Sequence, residues 1–193
     1  MTEALEPPSP ELDQLHRELE AIRSDARLLF AGLTDSHMTW RPAPALWSVL
    51  DCIVHLNVTN GHYVERFDRA ITRAREKGLL GKPPYRTDRL GLWFAGFLEP
   101  PVKTRVKAPG KFRPLPGVTP ERARAEFFDW QGRIEDCVRR SDGLDLYRVR
   151  VASPVFPILH FSLGQAFRGV TAHERRHLWQ ARRVLADPAC PTA

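Results

Sequence analysis

The sequence predicts an all-α fold, a four-helix bundle with a long irregular connection between its second and third helices. Three observations support this prediction: four long stretches repeat apolar residues at helical spacing, each follows a helix-start signal, and no two alternating segments could pair as strands. The 193 residues suffice for one domain with a buried core. We expect a single domain over residues 1–193, with loose ends at 1–8 and 188–193.

The first helix is predicted to start at Ser9-Pro10-Glu11, where a capping serine precedes a proline and an acidic residue. It should end near Gly32. Residues 34–47 contain two prolines and cannot be helical throughout, because each proline lacks an amide donor and keeps its predecessor extended. We expect an extended connection there, with Trp40 and Trp47 closing one end of the core.

The second helix is predicted from Ser48 to about Lys77, because Ser48 and Asp51 resemble a capping box. The connection that follows, residues 78–118, contains seven prolines and is long for a link between packed helices. Within it, residues 88–99 are apolar enough for a short helix. That helix could form a wall or lid over a pocket, or serve packing alone.

The third helix is predicted from Thr119-Pro120-Glu121 to about Ser141. Residues 144–151 alternate like a strand, but without a second such pattern we interpret them as an extended crossing segment. The fourth helix should begin near Ser153 or Pro157 and run to about Ala186.

Two histidines on this last helix are the candidate metal ligands. His173 and His177 are four residues apart, so they lie on one face of the helix, and neutral imidazole binds zinc, nickel, copper or iron well. The string His-Glu-x-x-His also matches a zinc-protease motif in which the glutamate is the general base. Only sixteen residues follow His177 and none is a histidine, which disfavours the protease.

A catalytic zinc normally has three protein ligands, so a third is needed. The candidates are His16 on the first helix, His55 and His62 on the second, and His160 upstream on the fourth. His55 is best placed, because it follows a well-defined helix start and borders the apolar face of its helix.

Composition restricts the class of protein. No apolar run is long enough to span a bilayer and the N-terminus is not a signal peptide, so we expect a cytoplasmic protein without a membrane partner. Three cysteines without a Cys-x-x-Cys pair fit a reducing compartment. The net charge of +6 invites a nucleic-acid partner, but the arginines are dispersed, and Arg168, Arg175 and Arg182 recur as a solvated stripe. The sequence therefore disfavours nucleic-acid binding, although a basic binder with salt-sensitive affinity for DNA is the third alternative.

The segment Trp47-Ser-Val-Leu-Asp-Cys-Ile-Val-His55-Leu, followed much later by Ala172-His-Glu-Arg-Arg-His177-Leu-Trp-Gln, resembles the DinB-like (YfiT-like) superfamily of bacterial metal-binding four-helix bundles. The resemblance implies a three-histidine site, to which His55, His173 and His177 correspond. The ion would be divalent, with zinc or nickel favoured over iron or manganese. Related branches include thiol S-transferases that use a low-molecular-weight thiol and proposed metal-dependent hydrolases, and many members are dimers.

From this resemblance we expect a metal-dependent enzyme, a thiol S-transferase or a hydrolase acting on a small electrophilic substrate, and a homodimer. Such a metal could activate a bound water or a thiolate. Glu174 is a weak candidate for the catalytic base, since an outward ion-pairing role explains it as well. The alternative is a non-catalytic metal-binding or stress-associated dimeric bundle, with Trp179 exposed at the interface.

Overall fold

The structure, a computed structural model, describes residues 9–191 apart from 87, 103–106 and 157. The described part is mostly helical, with one small two-stranded sheet. The helices are α1 (Pro10–Phe30), α2 (Asp35–Thr39), α3 (Val49–Glu76), α4 (Arg89–Leu98), α5 (Pro120–Arg140) and α6 (Leu163–Leu185), with a 3₁₀ turn at Gly110–Phe112 and strands β1 (Arg150–Ala152) and β2 (His160–Ser162). Loose ends were expected at 1–8 and 188–193. Residues 1–8 and 192–193 lie outside the described residues, whereas the Pro191 carbonyl accepts a hydrogen bond from His37.

Three of the long helices begin where the sequence predicts, because the capping side chains are in place. The hydroxyl of Ser9 accepts from the amide of Leu12 at the start of α1, and Thr119 does the same for α5. At α3, Ser48 Oγ accepts from the Asp51 amide at 3.0 Å, and Asp51 Oδ2 accepts from the Ser48 amide at 2.8 Å. This reciprocal capping box fixes the first turn of the helix that carries His55.

The four long helices α1, α3, α5 and α6 form the main packing unit. Helix α3 contacts both α5 and α6, and α1 also contacts both of them. The predicted apolar face of α3 is buried as expected. Two apolar clusters fill the interior, one around Phe67 and Phe167 and one around Ile53, Phe127 and Leu178. Helix α4 lies on the outside of α6, so the predicted short helix is confirmed and packs beside the histidine-bearing helix.

Two expectations for the loops before α6 are wrong. Residues 150–152 do have a partner strand, since Val151 pairs with Phe161 in an antiparallel ladder. The second strand is only three residues long, which is too short for alternation to show in the sequence. Helix α6 consequently begins at Leu163 rather than near Ser153 or Pro157, and Pro157 itself lies outside the described residues. His160 lies in strand β2 and not in α6. Ser162 Oγ caps α6 by accepting a hydrogen bond from the Gln165 amide.

The connection at residues 34–47 is only partly extended. Residues 35–39 form the short helix α2, because Thr34 and the His37 side chain build a capping box that the sequence-based interpretation overlooked. Trp40 and Trp47 do pack against the core cluster of Ile53, as expected.

The arginine stripe of α6 is not simply solvated. Arg175 pairs with Glu18 of α1 and with Glu99, and Arg182 pairs with Asp25, so the stripe joins α6 to α1 and to the end of α4. Among the described residues, no helix is both long enough and apolar enough to cross a membrane.

Candidate metal centre

Three histidines converge between α3 and α6. His55 comes from the second turn of α3, and His173 and His177 come from successive turns of α6. Each offers one ring nitrogen, and these three nitrogens all lie within 4.8 Å of one another. We call these residues the histidine cluster. The structure thus brings together the three residues that the sequence singled out.

The ring of His55 is oriented by a backbone carbonyl. Its Nδ1 lies 2.5 Å from the carbonyl oxygen of Phe112, which can only accept, so Nδ1 carries the proton and Nε2 is left with a free lone pair. That Nε2 lies 3.2 Å from Nε2 of His173. A carbonyl that fixes the tautomer of a ligating histidine in this way is typical of metal sites.

The sequence analysis did not point to Phe112. Asp51, one turn before His55, does not take this orienting role. Asp51 is occupied elsewhere, because its carboxylate accepts from Ser48 and from Arg41. No sequence signal could have identified Phe112, since the contact uses its backbone and depends only on where the 3₁₀ turn of the connection lies.

Two of the three histidines of the cluster are buried, and the third is partly exposed. Trp47 covers the cluster, with ring centroids 4.9 Å from His55 and 5.7 Å from His177. The side chains of His55 and His177 are 5% and 6% exposed, whereas His173 is partly exposed. Of the three rings, His173 is therefore the one that solvent reaches.

All three imidazoles are held in the neutral form. Burial lowers the pKa of His55, and the positive charge of Arg176 lowers it further, although the Phe112 carbonyl acts in the opposite direction. Burial also lowers the pKa values of His173 and His177 well below 6.5, and the neighbouring histidines add to the effect. Neutral imidazole is the form that binds metals.

This donor set fits a divalent ion of borderline softness. It comprises three imidazoles whose ligand nitrogens lie close together, and no described carboxylate or thiolate joins the group. In addition, Nδ1 of His177 is buried and has no hydrogen-bond partner among the described residues. An unpaired buried nitrogen is costly, and a ligand that uses the lone pairs of the cluster would offset part of that cost.

The other candidate ligands lie elsewhere. His16 contacts Glu135 at 3.6 Å, His62 packs its ring against Phe112 at 5.1 Å, and His160 is exposed on β2. Thr59 donates its hydroxyl to the His55 carbonyl along α3. Gln180, one turn after His177, acts on the pKa of the His177 ring in the opposite direction to burial, which lowers that pKa overall.

Glu174 points away from the histidines. Its side chain is 0% exposed, and one carboxylate oxygen accepts hydrogen bonds from Asn60 of α3 and Gln131 of α5. The outward ion-pairing role considered for it is therefore wrong, because the residue faces the interior of the helical packing. We call Asn60, Gln131 and Glu174 the carboxylate cluster. Burial raises the pKa of Glu174 to about 7.

Trp179, expected at an exposed interface, is only partly exposed, and the Arg183 guanidinium lies 5.0 Å from its ring centroid. Cys52, one turn before His55, is fully buried, and burial raises the pKa of its thiol. It is a small packing residue of the core.

Comparison with known proteins identifies a family. The family model described as the DinB superfamily matches residues 18–181, a range that contains all three histidines. No curated protein and no solved structure matches the chain. Because the family model covers most of the sequence and its match includes both histidine-bearing helices, the chain belongs to the DinB superfamily.

Proposed function

We propose that this protein binds one divalent metal ion through His55, His173 and His177, at the centre of a DinB-type four-helix bundle formed by α1, α3, α5 and α6. The observation that carries the proposal is the convergence of three neutral imidazole nitrogens within 4.8 Å of one another. Zinc or nickel suits three imidazoles best, and iron or manganese would bind less tightly.

Each residue around the cluster has a defined task in this proposal. The Phe112 carbonyl holds the His55 proton on Nδ1, so that Nε2 stays available to the ion. Trp47 keeps water from the two buried rings. The regular spacing of α6 presents His173 and His177 together, which reduces the ordering required when the ion binds.

We further propose that the bound metal serves an enzyme, a thiol S-transferase or a hydrolase for small electrophilic substrates. A divalent ion with an open position supplies an activated nucleophile, either a thiolate or a deprotonated water. Two features support this role: the cluster offers three ligands and no fourth among the described residues, and His173 leaves it accessible. Closed structural sites typically have four ligands.

The two buried cysteines of the chain do not supply a thiol to this site. Cys52 and Cys137 are fully buried, and burial raises the pKa of Cys137 to about 12 and that of Cys52 as well. Neither forms a thiolate near neutral pH. A low-molecular-weight thiol is therefore the cosubstrate that we propose. We also propose that the protein is cytoplasmic and forms a homodimer.

The test compares two reactions of the zinc-loaded protein. One is the conjugation of a low-molecular-weight cysteine thiol to a small activated aryl halide, and the other is the hydrolysis of an activated ester. We expect one of the two rates to rise about tenfold or more over the zinc-free protein. His173→Ala should reduce that rate to background. His160→Ala removes an exposed histidine on β2 and should leave the rate unchanged.

Stoichiometric zinc binding without either reaction would contradict the enzymatic part of the proposal. The non-catalytic metal-binding dimer would then be the function that remains. Equal rates in the His173→Ala and wild-type proteins would show that the reaction does not take place at the histidine cluster.

A further inference from the structure

The positive charge of the protein is concentrated in one segment. Residues 78–118 contain eight of the 29 Lys and Arg residues and two of the 23 acidic residues, which leaves 21 of each sign in the rest of the chain. This segment therefore carries the whole formal net charge of +6.

Both acidic residues of the segment are neutralised internally. Asp88 caps α4 through the Gly91 amide, accepts from the Ser162 amide at 2.6 Å, and contacts Arg150. Glu99 forms an ion pair with Arg175 of α6. The basic side chains in the described part of the segment are exposed to solvent: Lys82, Arg86, Arg89, Lys107, Lys111 and Arg113. They lie on both sides of α4 in the sequence.

Helix α4 between these cations is apolar on both its inner and its outer face. Its inner face packs on the rest of the protein, where Gly91 contacts Gln165 of α6 and the Phe94 ring stacks on Phe161. Its outer face exposes Leu90, Leu92, Trp93 and Phe97, with Trp93 66% exposed. The Trp93 and Phe97 rings stack with centroids 6.1 Å apart. A helix that is apolar all round is normally buried, so this outer face lacks its expected cover.

The adjoining hairpin adds further exposed apolar residues. Strand β2 contacts α4, and the tip between β1 and β2 exposes Phe156 and Ile158, the latter 92% exposed. Large exposed apolar areas of this kind mark interaction sites rather than ordinary surface.

We propose that α4 and its flanking cations dock this protein onto an anionic lipid bilayer surface. Trp, Phe and Leu on one face of a helix, with Lys and Arg around it, are the features of interfacial membrane-binding helices. The apolar side chains would enter the boundary between headgroups and acyl chains, while the cations contact acidic headgroups.

Charge and shape favour a bilayer over a protein partner. In a symmetric contact between two copies, the same patch meets itself, so two sets of exposed cations would face each other. A protein partner would need a matching surface for a convex helix, and lysine is depleted at such interfaces. A bilayer imposes neither requirement. The sequence analysis expected no membrane partner because no apolar run could span a bilayer. Docking at a bilayer surface requires no spanning helix, so that expectation does not exclude it.

The test is flotation of the full-length protein with vesicles of phosphatidylglycerol and phosphatidylcholine in equal parts, compared with phosphatidylcholine alone. We expect binding to the anionic vesicles only. It should weaken when the salt concentration rises from about 0.1 M to about 0.5 M, because surface charges are then screened. Replacing both Trp93 and Phe97 by Ala should weaken binding about tenfold or more.

Matched variants separate the patch from general charge. The double variant Arg86→Glu with Arg89→Glu, at the start of α4, should weaken vesicle binding about tenfold or more. Arg17→Glu with Arg73→Glu makes the same change of charge at exposed sites on α1 and α3 and should have a much smaller effect. Leu28→Ala removes an exposed leucine from α1 and should have none.

Three outcomes would overturn the proposal. The first is a lack of wild-type binding to anionic vesicles at low salt, which would leave an acidic protein as the partner. The second is equal loss in the two charge-reversed variants. The third is a wild-type dimer in sedimentation velocity that dissociates when Trp93 and Phe97 are replaced, with no vesicle binding, which would assign the face to a second copy.

Discussion

Helix α6 places two buried polar clusters side by side, and they differ in what would satisfy them. The histidine cluster gathers three ring nitrogens within 4.8 Å of one another, an arrangement that a bound cation would stabilise. The carboxylate cluster, reached through the very next residue of α6, supplies Glu174 with two amide donors, so its remaining need is a proton. Each cluster lies between helices where water is scarce, and burial shifts the pKa of its titratable side chains in the direction that favours their neutral form.

This difference suggests how a short motif can serve two purposes. In His173-Glu174-x-x-His177, a step of one residue turns the side chain by about 100° around the helix. The histidines consequently face α3 at His55, while the glutamate faces Asn60 and Gln131. The predictions below test whether the two clusters really behave as a metal site and a protonated structural contact.

The largest expected effect is stabilisation by zinc. Because the ion should bind only the folded histidine cluster, a free zinc concentration a thousandfold above Kd should add about 4 kcal/mol to the free energy of unfolding. The His177→Ala variant should gain nothing, and Glu174→Gln should gain as much as wild type. Denaturant unfolding with and without zinc measures this, and an equal gain in His177→Ala would place the ion elsewhere.

The next effect concerns Glu174 in the zinc-free protein. Since burial raises its pKa from 4.5 to about 7, this carboxyl contributes stability that is fully present below pH 4.5 and is lost as the pH rises through about 7. The shift corresponds to about 3 kcal/mol. Between pH 4.5 and 8, the free energy of unfolding of Glu174→Gln should therefore fall by about 3 kcal/mol less than that of the wild type. The variant should be the more stable of the two proteins at pH 8.

The unpaired oxygens of Asn60 and Gln131 can accept the new amide hydrogens of that variant. Glu174→Ala serves as the contrast, because it leaves the two amide donors unpaired and should destabilise the protein at every pH. An unchanged pH profile in Glu174→Gln would mean that Glu174 is ionised in the folded protein.

The histidine cluster should respond to acid in the opposite direction. Its three pKa values are lowered in the folded protein, so their contribution is present above pH 6.5 and is lost as the pH falls through the folded values. The Glu174→Gln background isolates this effect, because the carboxyl no longer compensates between pH 4.5 and 6.5. Unfolding experiments in that background should show falling stability with acid, and His177→Gln should flatten the curve.

The smallest effect tests the support of His55. Ser48→Ala removes the cap of α3 and should cost about 1 kcal/mol, as Ser9→Ala should at α1. Only Ser48→Ala should also weaken zinc binding, by several-fold, because the first turn of α3 positions His55. Isothermal titration of both variants gives the comparison, and equal zinc affinities would show that the Phe112 carbonyl suffices to hold the ring.

The features predicted correctly are those written in local sequence. Capping residues and apolar spacing located α1, α3, α4 and α5, and the family resemblance led to the histidine cluster. The hairpin and the start of α6 were mispredicted, because a three-residue strand carries no periodicity and its pairing is decided by tertiary contacts. The roles of Phe112 and Glu174 were likewise beyond the sequence, since one uses a backbone carbonyl and the other depends on which helices flank α6.

The central claim is tested most directly by the metal content of protein purified without an affinity tag, measured by elemental mass spectrometry. Wild-type protein should contain about one divalent ion per chain. His55→Ala, His173→Ala and His177→Ala should contain none while they retain helical circular dichroism, and His160→Ala should match wild type. Wild-type protein that holds no metal even after reconstitution, or variants that keep it, would contradict the three-histidine site.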